Sequence, residues 1–360
     1  LENKKKQLII VCPEPYYGKG GISTAVGGLI DGFNELGVEV ITVESHSSHE
    51  SKWQVWLKAA IQVRLLSKKY GDNAVFVFHC GAWFSMFRKW TLALIANFYR
   101  STTVVHLHSI VVENYIAKRF SKLLFKLFLS TFDRVFTVSP WWTSLLEKKL
   151  TLNNVSNLFN SVTYSAMEIA FKQCKKQIPT FDAIADIKLV SMSRLVEGKG
   201  FEALIESLTL LPERYKLTIA GEGNLRPKLV NLVNKLSLEE RVQFVGWVES
   251  DEKYNLMLDS HVFVLAAKAE SFGMGLIEAM ACGLPVIALD RGPIRDVVTS
   301  DTGLLVNEDT PQCLAEAIIH LTGNMSTYNG GPLRVVTVFN PQLIADKAYS
   351  VLFQDNRRVS

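Results

Sequence analysis

The sequence predicts an α/β protein built as two doubly wound parallel-sheet domains that face each other across a cleft. Three observations predict it. The 360 residues fit two domains better than one, at roughly 100–200 residues per domain. Short apolar strands alternate with helical periodicities along both halves of the chain, the pattern of parallel sheets with crossover helices. Glycines also cluster where a strand turns into a helix, as at Gly18, Gly20 and Gly21.

In order, Leu8–Cys12 reads as a strand, and Ser23–Leu36 as a helix with Val26, Leu29, Ile30 and Phe33 on one side and Gly37 as its stop. Val38–Val43 is the next strand. Lys52–Lys69 is a helix whose predicted apolar face holds Trp53, Trp56, Leu57, Ala60 and Ile61. Ala74–His79, Thr103–His108 and Arg134–Val138 are short strands rich in β-branched and aromatic residues. The second half repeats the plan. Strands are expected at Ile187–Met192, Lys216–Ala220, Val242–Val245, Val262–Ala266, Val286–Leu289 and Gly303–Val306. Helices are expected at Phe201–Leu211, Leu225–Leu236, Lys253–Leu258 and Gly275–Cys282. The polar stretch Lys172–Asp186, with Pro179, marks the seam. The expected domains are therefore 1–172 and 187–338, followed by 339–360, whose helix Pro341–Phe353 returns to the first domain.

Composition excludes several classes. Hydrophobic residues make up 48% and charged residues 21%, as in an ordinary globular protein, not a disordered chain or a coiled coil. A net charge of +4 and the absence of a recognised module argue against nucleic acid as partner. Cys12, Cys80, Cys174, Cys282 and Cys313 are odd in number and form no CxxC, so neither a zinc site nor a disulfide framework is expected, and the compartment should be reducing. No run reaches the roughly 18 apolar residues of a membrane span. Lys4-Lys5-Lys6 before the short Leu8–Val11 run is not a signal-peptide pattern. Leu1-Glu2 in place of an initiating Met is expected to be a tag scar. The expected location is cytoplasmic. The charge is uneven: residues 1–172 hold 20 Lys and Arg against 12 Asp and Glu, a net +8, and the remainder is −4.

The most informative segment is Glu270-Ser-Phe272-Gly273-Met274-Gly275-Leu276-Ile277-Glu278, which follows a strand and opens a helix. Gly273 and Gly275 let a ligand approach the backbone. Amides at the helix start suit a phosphate. Glu278, about one turn in, and Glu270, in the loop before, are placed to accept hydrogen bonds from sugar hydroxyls. Two carboxylates flanking a phosphate site describe a nucleotide-sugar; taken singly, each is an ordinary solvated Glu. Arg194 follows the first strand of this half and Lys199 precedes the next helix. Arg offers a planar fork to two phosphate oxygens, and Lys a mobile point charge. Gly221-Glu-Gly223 is a further strand-to-helix turn, weak evidence by itself.

These pieces resemble the GT-B fold, retaining glycosyltransferases of family 4 (glycosyltransferase group 1). The resemblance rests on Ser-Met-Ser-Arg194-Leu with Lys199-Gly200, Gly221-Glu-Gly223, Phe244-Val-Gly246-Trp247, Glu270 with Glu278, and Ala281-Cys-Gly283-Leu-Pro285-Val286, in the family's order over about residues 190–300. The first half matches more loosely, through Gly20-Gly21-Ile22 and Val104-Val-His-Leu-His108. The resemblance implies that Arg194 and Lys199 hold the donor diphosphate, Glu270 the transferred sugar and Glu278 the ribose. It implies that Phe272, Gly273 and Met274 line the sugar pocket and that the amides of Leu276 and Ile277 reach phosphate. Gly20 and Gly21 are expected to face diphosphate and acceptor, Gly221 belongs to the donor site, and Val245–Val248 is expected near the base, with Val248 as the donor-binding residue. His108 best matches the family's active-site histidine, with His106 and His79 as competitors. Strand alternation is read as burying His106 in the sheet, and His79 as lining the acceptor side.

The implied reaction moves a hexose or N-acetylhexosamine from a nucleotide-sugar, UDP-linked in preference to GDP-linked, to a glycan or lipid-linked saccharide in bacterial surface polysaccharide synthesis. No cofactor is expected, and no metal, because no DxD-like acidic cluster stands beside the diphosphate motifs. The alternatives are an epimerase of the same fold and a catalytically silent nucleotide-sugar-binding subunit. In the first half, Lys52, Lys58, Arg64, Lys68 and Lys69 surround Trp53 and Trp56. Trp83-Phe84, Met86-Phe87-Arg88-Lys89-Trp90 and Lys118-Arg119-Phe120 through Phe128 continue the mixture. Cations interleaved with aromatics suit the anionic inner face of the cytoplasmic membrane. Ordinary crossover helices account for the same pattern equally well.

Overall fold

A computed structural model describes residues 6–15, 20–46, 50–176 and 186–354. Gly18 of the glycine turn and Pro179 of the expected seam lie outside them. The chain divides into two units, Leu1–Tyr164 with Phe339–Ser360, and Ser165–Val338.

The first unit runs β1 (Gln7–Pro13), α1 (Gly21–Glu35), β2 (Val40–His46), α2 (Lys52–Tyr70), β3 (Ala74–Cys80), α3 (Trp83–Phe98), β4 (Thr102–Leu107), α4 (Val112–Ala117), α5 (Arg119–Ser130), β5 (Arg134–Thr137), α6 (Pro140–Leu150) and β6 (Val155–Asn157). Its strands form one parallel sheet in the order β2-β1-β3-β4-β5-β6. β3 is buried along its whole length, which is why it reads as an unbroken apolar run instead of an alternating one.

The second unit runs α7 (Tyr164–Gln173), β7 (Ile187–Met192), α8 (Phe201–Ser207), β8 (Tyr215–Ala220), α9 (Arg226–Lys235), β9 (Val242–Gly246), α10 (Ser250–Leu258), β10 (Val262–Leu265), α11 (Met274–Ala281), β11 (Val286–Leu289), α12 (Ile294–Val297), β12 (Gly303–Val306), α13 (Pro311–Gly323) and α14 (Gly331–Val338). The sheet is again parallel, in the order β12-β11-β10-β7-β8-β9. In both sheets the first strand stands beside one that is not its chain neighbour, β1 beside β3 and β7 beside β10. That is the switch point at which such sheets bind ligands, outside the strands' carboxyl ends.

α15 (Pro341–Tyr349) then joins the first unit, Ile344, Ala345 and Ala348 entering the same core as Val26, Leu29, Ile30 and Phe33 of α1. Gly32 permits this. A side chain there would run into the Pro341 carbonyl and the Ala345 methyl. The first unit ends earlier than the expected residue 172. α7 sits in the second unit, where Gln173 lies against Gly283.

The predicted apolar face of α2 is corrected. Its buried residues are Val55, Ala59, Val63 and Ser67, whereas Trp53, Leu57 and Ile61 are exposed, Trp53 at 79%. This helix carries two apolar stripes, and the larger one faces solvent.

Replacing Gly32 by Val is expected to cost about 2–3 kcal/mol, the scale of overpacking a close contact. Denaturant unfolding would measure it. Gly323→Ala, which meets nothing within 4 Å, is the control, expected within about 1 kcal/mol of the parent.

Candidate functional site

The second unit gathers its site from four strand ends. After β7 the chain passes Ser193, whose N–H donates to the Ala220 carbonyl (3.2 Å), and Leu195, whose N–H donates to the Glu222 carbonyl (2.8 Å). These bonds lock the Arg194 turn against the Gly221 turn. Gly221 holds φ +146° directly on the Ser193 carbonyl, and its N–H donates to the Gly246 carbonyl (2.6 Å), tying in the end of β9. Arg194 is exposed, and its side chain makes no ion pair or hydrogen bond among the described residues. Val248 is half-buried just past β9.

Lys199 and Glu270 meet. Nζ lies 2.8 Å from Oε2, with side chains 15% and 21% exposed. The other Glu270 oxygen accepts the Ser271 N–H at 3.2 Å. Glu270 is therefore held in place, and Lys199 is less mobile than expected. The pair bridges the ends of β7 and β10, across the switch point.

Gly273 caps α11 in the left-handed region (φ +91°) with no side-chain cap; the Leu276 and Ile277 N–H groups donate to its carbonyl (2.9 and 3.4 Å), which leaves the Met274 and Gly275 amides to a ligand. Gly275 passes close to the Phe263 ring. Leu276 and Ile277 point into the core at 0% exposure, and with their N–H groups turned to the Gly273 carbonyl they offer a phosphate less than expected. Phe272 is also enclosed, at 1%, which corrects its expected place as a ring lining the sugar pocket. Met274 is half-exposed and remains available. Glu278 is buried and paired to Lys253, Nζ to Oε1 2.7 Å. Burial works against the Lys253 charge, but Glu278 and Tyr254 more than offset this and raise its pKa. Sequence reasoning missed Lys253. Its partner is 25 positions away, and no spacing rule links α10 to α11.

In the first unit, Gly20 (φ +138°) caps α1 without a side-chain bond, and Gly20 and Gly21 are exposed. His79 and His106 pair in register across β3 and β4, and His108 follows β4. His106 and His108, two apart, share a face, and their rings stand 4.2 Å apart. Alternation therefore does not separate them, as expected above, but groups them. All three are buried. His106 Nε2 donates to the Leu158 carbonyl (3.1 Å), and His79 Nδ1 lies 2.9 Å from His108 Nε2. Burial holds His106 down to about 3, a little offset by the Leu158 bond, and pushes His79 and His108 well below the usual imidazole range. The three are neutral rings. Among the described residues they are the one group of His, Cys, Asp or Glu that could hold a metal ion.

Lys89 is the second surprise. Expected on a basic surface, it is 1% exposed. On helices α2, α3 and α5, which contain no Asp or Glu, other large residues are exposed instead: Trp53, Leu57, Ile61 and Leu65; Phe84, Phe87 and Phe98; Phe120, Leu123 and Leu127. No helix of the described residues is long and apolar enough to cross a membrane.

Residues 181–329 match the glycosyl transferases group 1. An uncharacterized glycosyltransferase of Methanocaldococcus jannaschii is 25% identical over 332 residues, 88% of each chain. The N-acetylgalactosamine-N,N'-diacetylbacillosaminyl-diphospho-undecaprenol 4-alpha-N-acetylgalactosaminyltransferase of Campylobacter jejuni is 26% identical over 264 residues, 72% of this chain and 69% of that one. Among solved structures, sucrose-phosphate synthase from Thermosynechococcus elongatus superposes with a TM-score of 0.77 at 21% identity, over 97% of this chain and 99% of that one. HepE of Anabaena, in complex with UDP and glucose, superposes at 0.70 and 17% identity, over 96% and 99%. The chain is thus a glycosyltransferase of GT-B fold whose residues 181–329 resemble the glycosyl transferases group 1.

Proposed function

We propose that this glycosyltransferase is a retaining, family 4 enzyme that moves a hexose or N-acetylhexosamine from a UDP-sugar, in preference to a GDP-sugar, to a hydroxyl of a glycan or lipid-linked saccharide in bacterial surface polysaccharide synthesis. The observation that carries the reading is the switch point of the second sheet. There Arg194 and Lys199 follow β7, Glu270 and the uncapped start of α11 follow β10, and Lys253 of α10 pairs with Glu278 of α11. A diphosphate meets cations and amides there, with a carboxylate on either side for sugar and ribose hydroxyls. The UDP in the HepE complex and the undecaprenol-linked acceptor in the Campylobacter relative's name support the donor and acceptor classes.

In the reaction, the bond between the sugar's anomeric carbon and the phosphate oxygen breaks while an acceptor oxygen bonds to that carbon from the same face. The departing nucleoside diphosphate takes the acceptor proton. Negative charge grows on the phosphate, and Arg194, Lys199 and the α11 amides stabilise it. Glu270 orients the transferred sugar. His108 is assigned to the sugar and acceptor side, with Gly20 and Gly21 facing the acceptor and the diphosphate. Because these cations supply the neutralisation, no metal is required.

The exposed aromatics of α2, α3 and α5 amid Lys58, Arg64, Lys122 and Lys126, with no acid on those helices, suit the anionic inner face of the cytoplasmic membrane. On this reading the enzyme is a peripheral, cytoplasmic protein that works where a lipid-linked acceptor is presented. The alternatives, an epimerase or a silent binding subunit, part from this reading on one assay. Transfer to an added saccharide with net retention supports the transferase. Isomerised donor, or binding without turnover, overturns it.

Three outcomes are expected. Arg194→Ala and Glu270→Ala each lower transfer about 10²–10³-fold, as loss of one preorganised transition-state contact does, with the melting temperature of Arg194→Ala close to the parent and that of Glu270→Ala lowered because Lys199 loses its partner; near-parental rates would remove these residues from the site. Activity persists in EDTA, and a loss restored by Mn²⁺ or Mg²⁺ would contradict the metal-free reading. The protein co-sediments with anionic vesicles at low salt and is released at high salt, and failure to bind at low salt would rule out the membrane face.

A further inference from the structure

Lys89 is buried at 1% exposure, yet among the described residues it has no carboxylate partner. Its Nζ donates to Ser85 Oγ at 2.8 Å, and the same oxygen accepts the Gly81 N–H at 3.3 Å. A buried ammonium without an anion is costly, and burial accordingly lowers its pKa, with the Arg88 charge adding to this.

Its surroundings are built for an anion. α3 begins at Trp83 with no side-chain cap, and α1 begins at Gly21 with none. The two starts are adjacent, because a Cβ on Gly81 would lie 3.6 Å from the Ile22 side chain and 3.9 Å from Ser85. Two helix starts, each carrying a partial positive charge, therefore flank Ser85 at the carboxyl edge of the sheet. His79 Nε2 and His108 Nδ1, both buried, have no hydrogen-bond partner among the described residues. Gly20, Gly21 and Ala82 are exposed at the rim, Ser85 is half-buried, and Lys89 lies beneath.

Three neutral imidazoles within reach of one another would also suit a divalent metal ion. The Lys89 charge argues against that. After burial and the neighbouring histidines, it is a further cause of the depressed pKa of both His79 and His108. A dication there would face an unneutralised cation with no carboxylate to offset either.

We propose that Lys89, Ser85, the α1 and α3 amides and the edge of the His79–His108 pair form a phosphate subsite in the first unit, so that the acceptor carries a phosphate or diphosphate group. This deepens the glycosyltransferase reading and rests on it for the identity of the ligand as acceptor. A phosphate oxygen accepts from the Lys89 ammonium and keeps its proton on, which offsets the cost of burying that charge.

The test uses the full chain with Lys89→Met, which keeps the aliphatic stem and removes only the charge, and Ser85→Ala, at a half-buried position that should fold. Inorganic pyrophosphate is the first probe, in an Arg194→Ala background that weakens the donor site. It is expected to raise the melting temperature of Arg194→Ala and to lose this effect when Lys89→Met is added. In transfer assays, Lys89→Met is expected to raise KM about tenfold or more for a phosphate-bearing acceptor, the size of one charge-assisted contact, with donor KM unmoved. A sugar monophosphate and a short isoprenyl diphosphate-linked sugar are run as separate arms, and the one whose KM responds names the source. Equal KM values for parent and variant in both arms overturn the proposal. So does stabilisation by Zn²⁺ that His79→Gln abolishes and Lys89→Met strengthens, which assigns the cluster to a metal. If UDP-sugars neither bind nor react while pyrophosphate protection still depends on Lys89, the transferase reading fails and the anion site stands.

Discussion

Both sheets are parallel from edge to edge, and the chemistry depends on that constraint. A parallel sheet sends every strand's carboxyl end, and the start of the helix that follows it, to one side. Each helix start brings unpaired N–H groups and a partial positive charge, equivalent to roughly half an elementary charge. An edge of that kind selects anions before any side chain is placed. The switch between β7 and β10 adds a crevice, and the glycines at 221 and 273 let backbone approach where a Cβ would block it.

On that edge the second unit balances its charges in pairs. Lys199 with Glu270 and Lys253 with Glu278 are ion pairs with little solvent around them. Breaking such a pair from one side leaves an uncompensated charge, a cost of about 3–5 kcal/mol. The pairs therefore serve as fixed positions: each carboxylate is aimed by its lysine and keeps lone pairs for a hydroxyl. Arg194 is the unpaired exception, exposed and ready for a phosphate. In the first unit the balance is left open at Lys89, which among the described residues has a serine and two helix starts but no acid.

Much of the second unit could be read in the sequence because its signals are local. Strand, glycine turn and helix follow one another within a dozen residues, so Arg194, Lys199, Glu270 and Glu278 could be placed on turns before any fold was known. The first unit was less legible. α2 has apolar residues on two faces, and periodicity alone cannot say which meets the sheet; Val55, Ala59 and Val63 do, because smaller side chains let the helix lie closer. β6 hides in a polar stretch, Val155–Asn157, whose place as a strand comes from pairing with β5. The α7 boundary was missed for a similar reason. The helix belongs with Gly283, more than a hundred positions on.

By itself, then, the sequence determined the fold class, the order of elements and the residue types available to a nucleotide-sugar, since apolar periodicity, glycine turns and charge are properties of neighbours along the chain. Tertiary structure decided the pairing of charges and the burial of polar groups. It joined Lys199 to Glu270 and Lys253 to Glu278, closed Phe272 into the core, set His106 beside His108 and sank Lys89 beneath Ser85. Those outcomes depend on which strand stands beside which, and therefore on desolvation and distances that residue spacing does not encode.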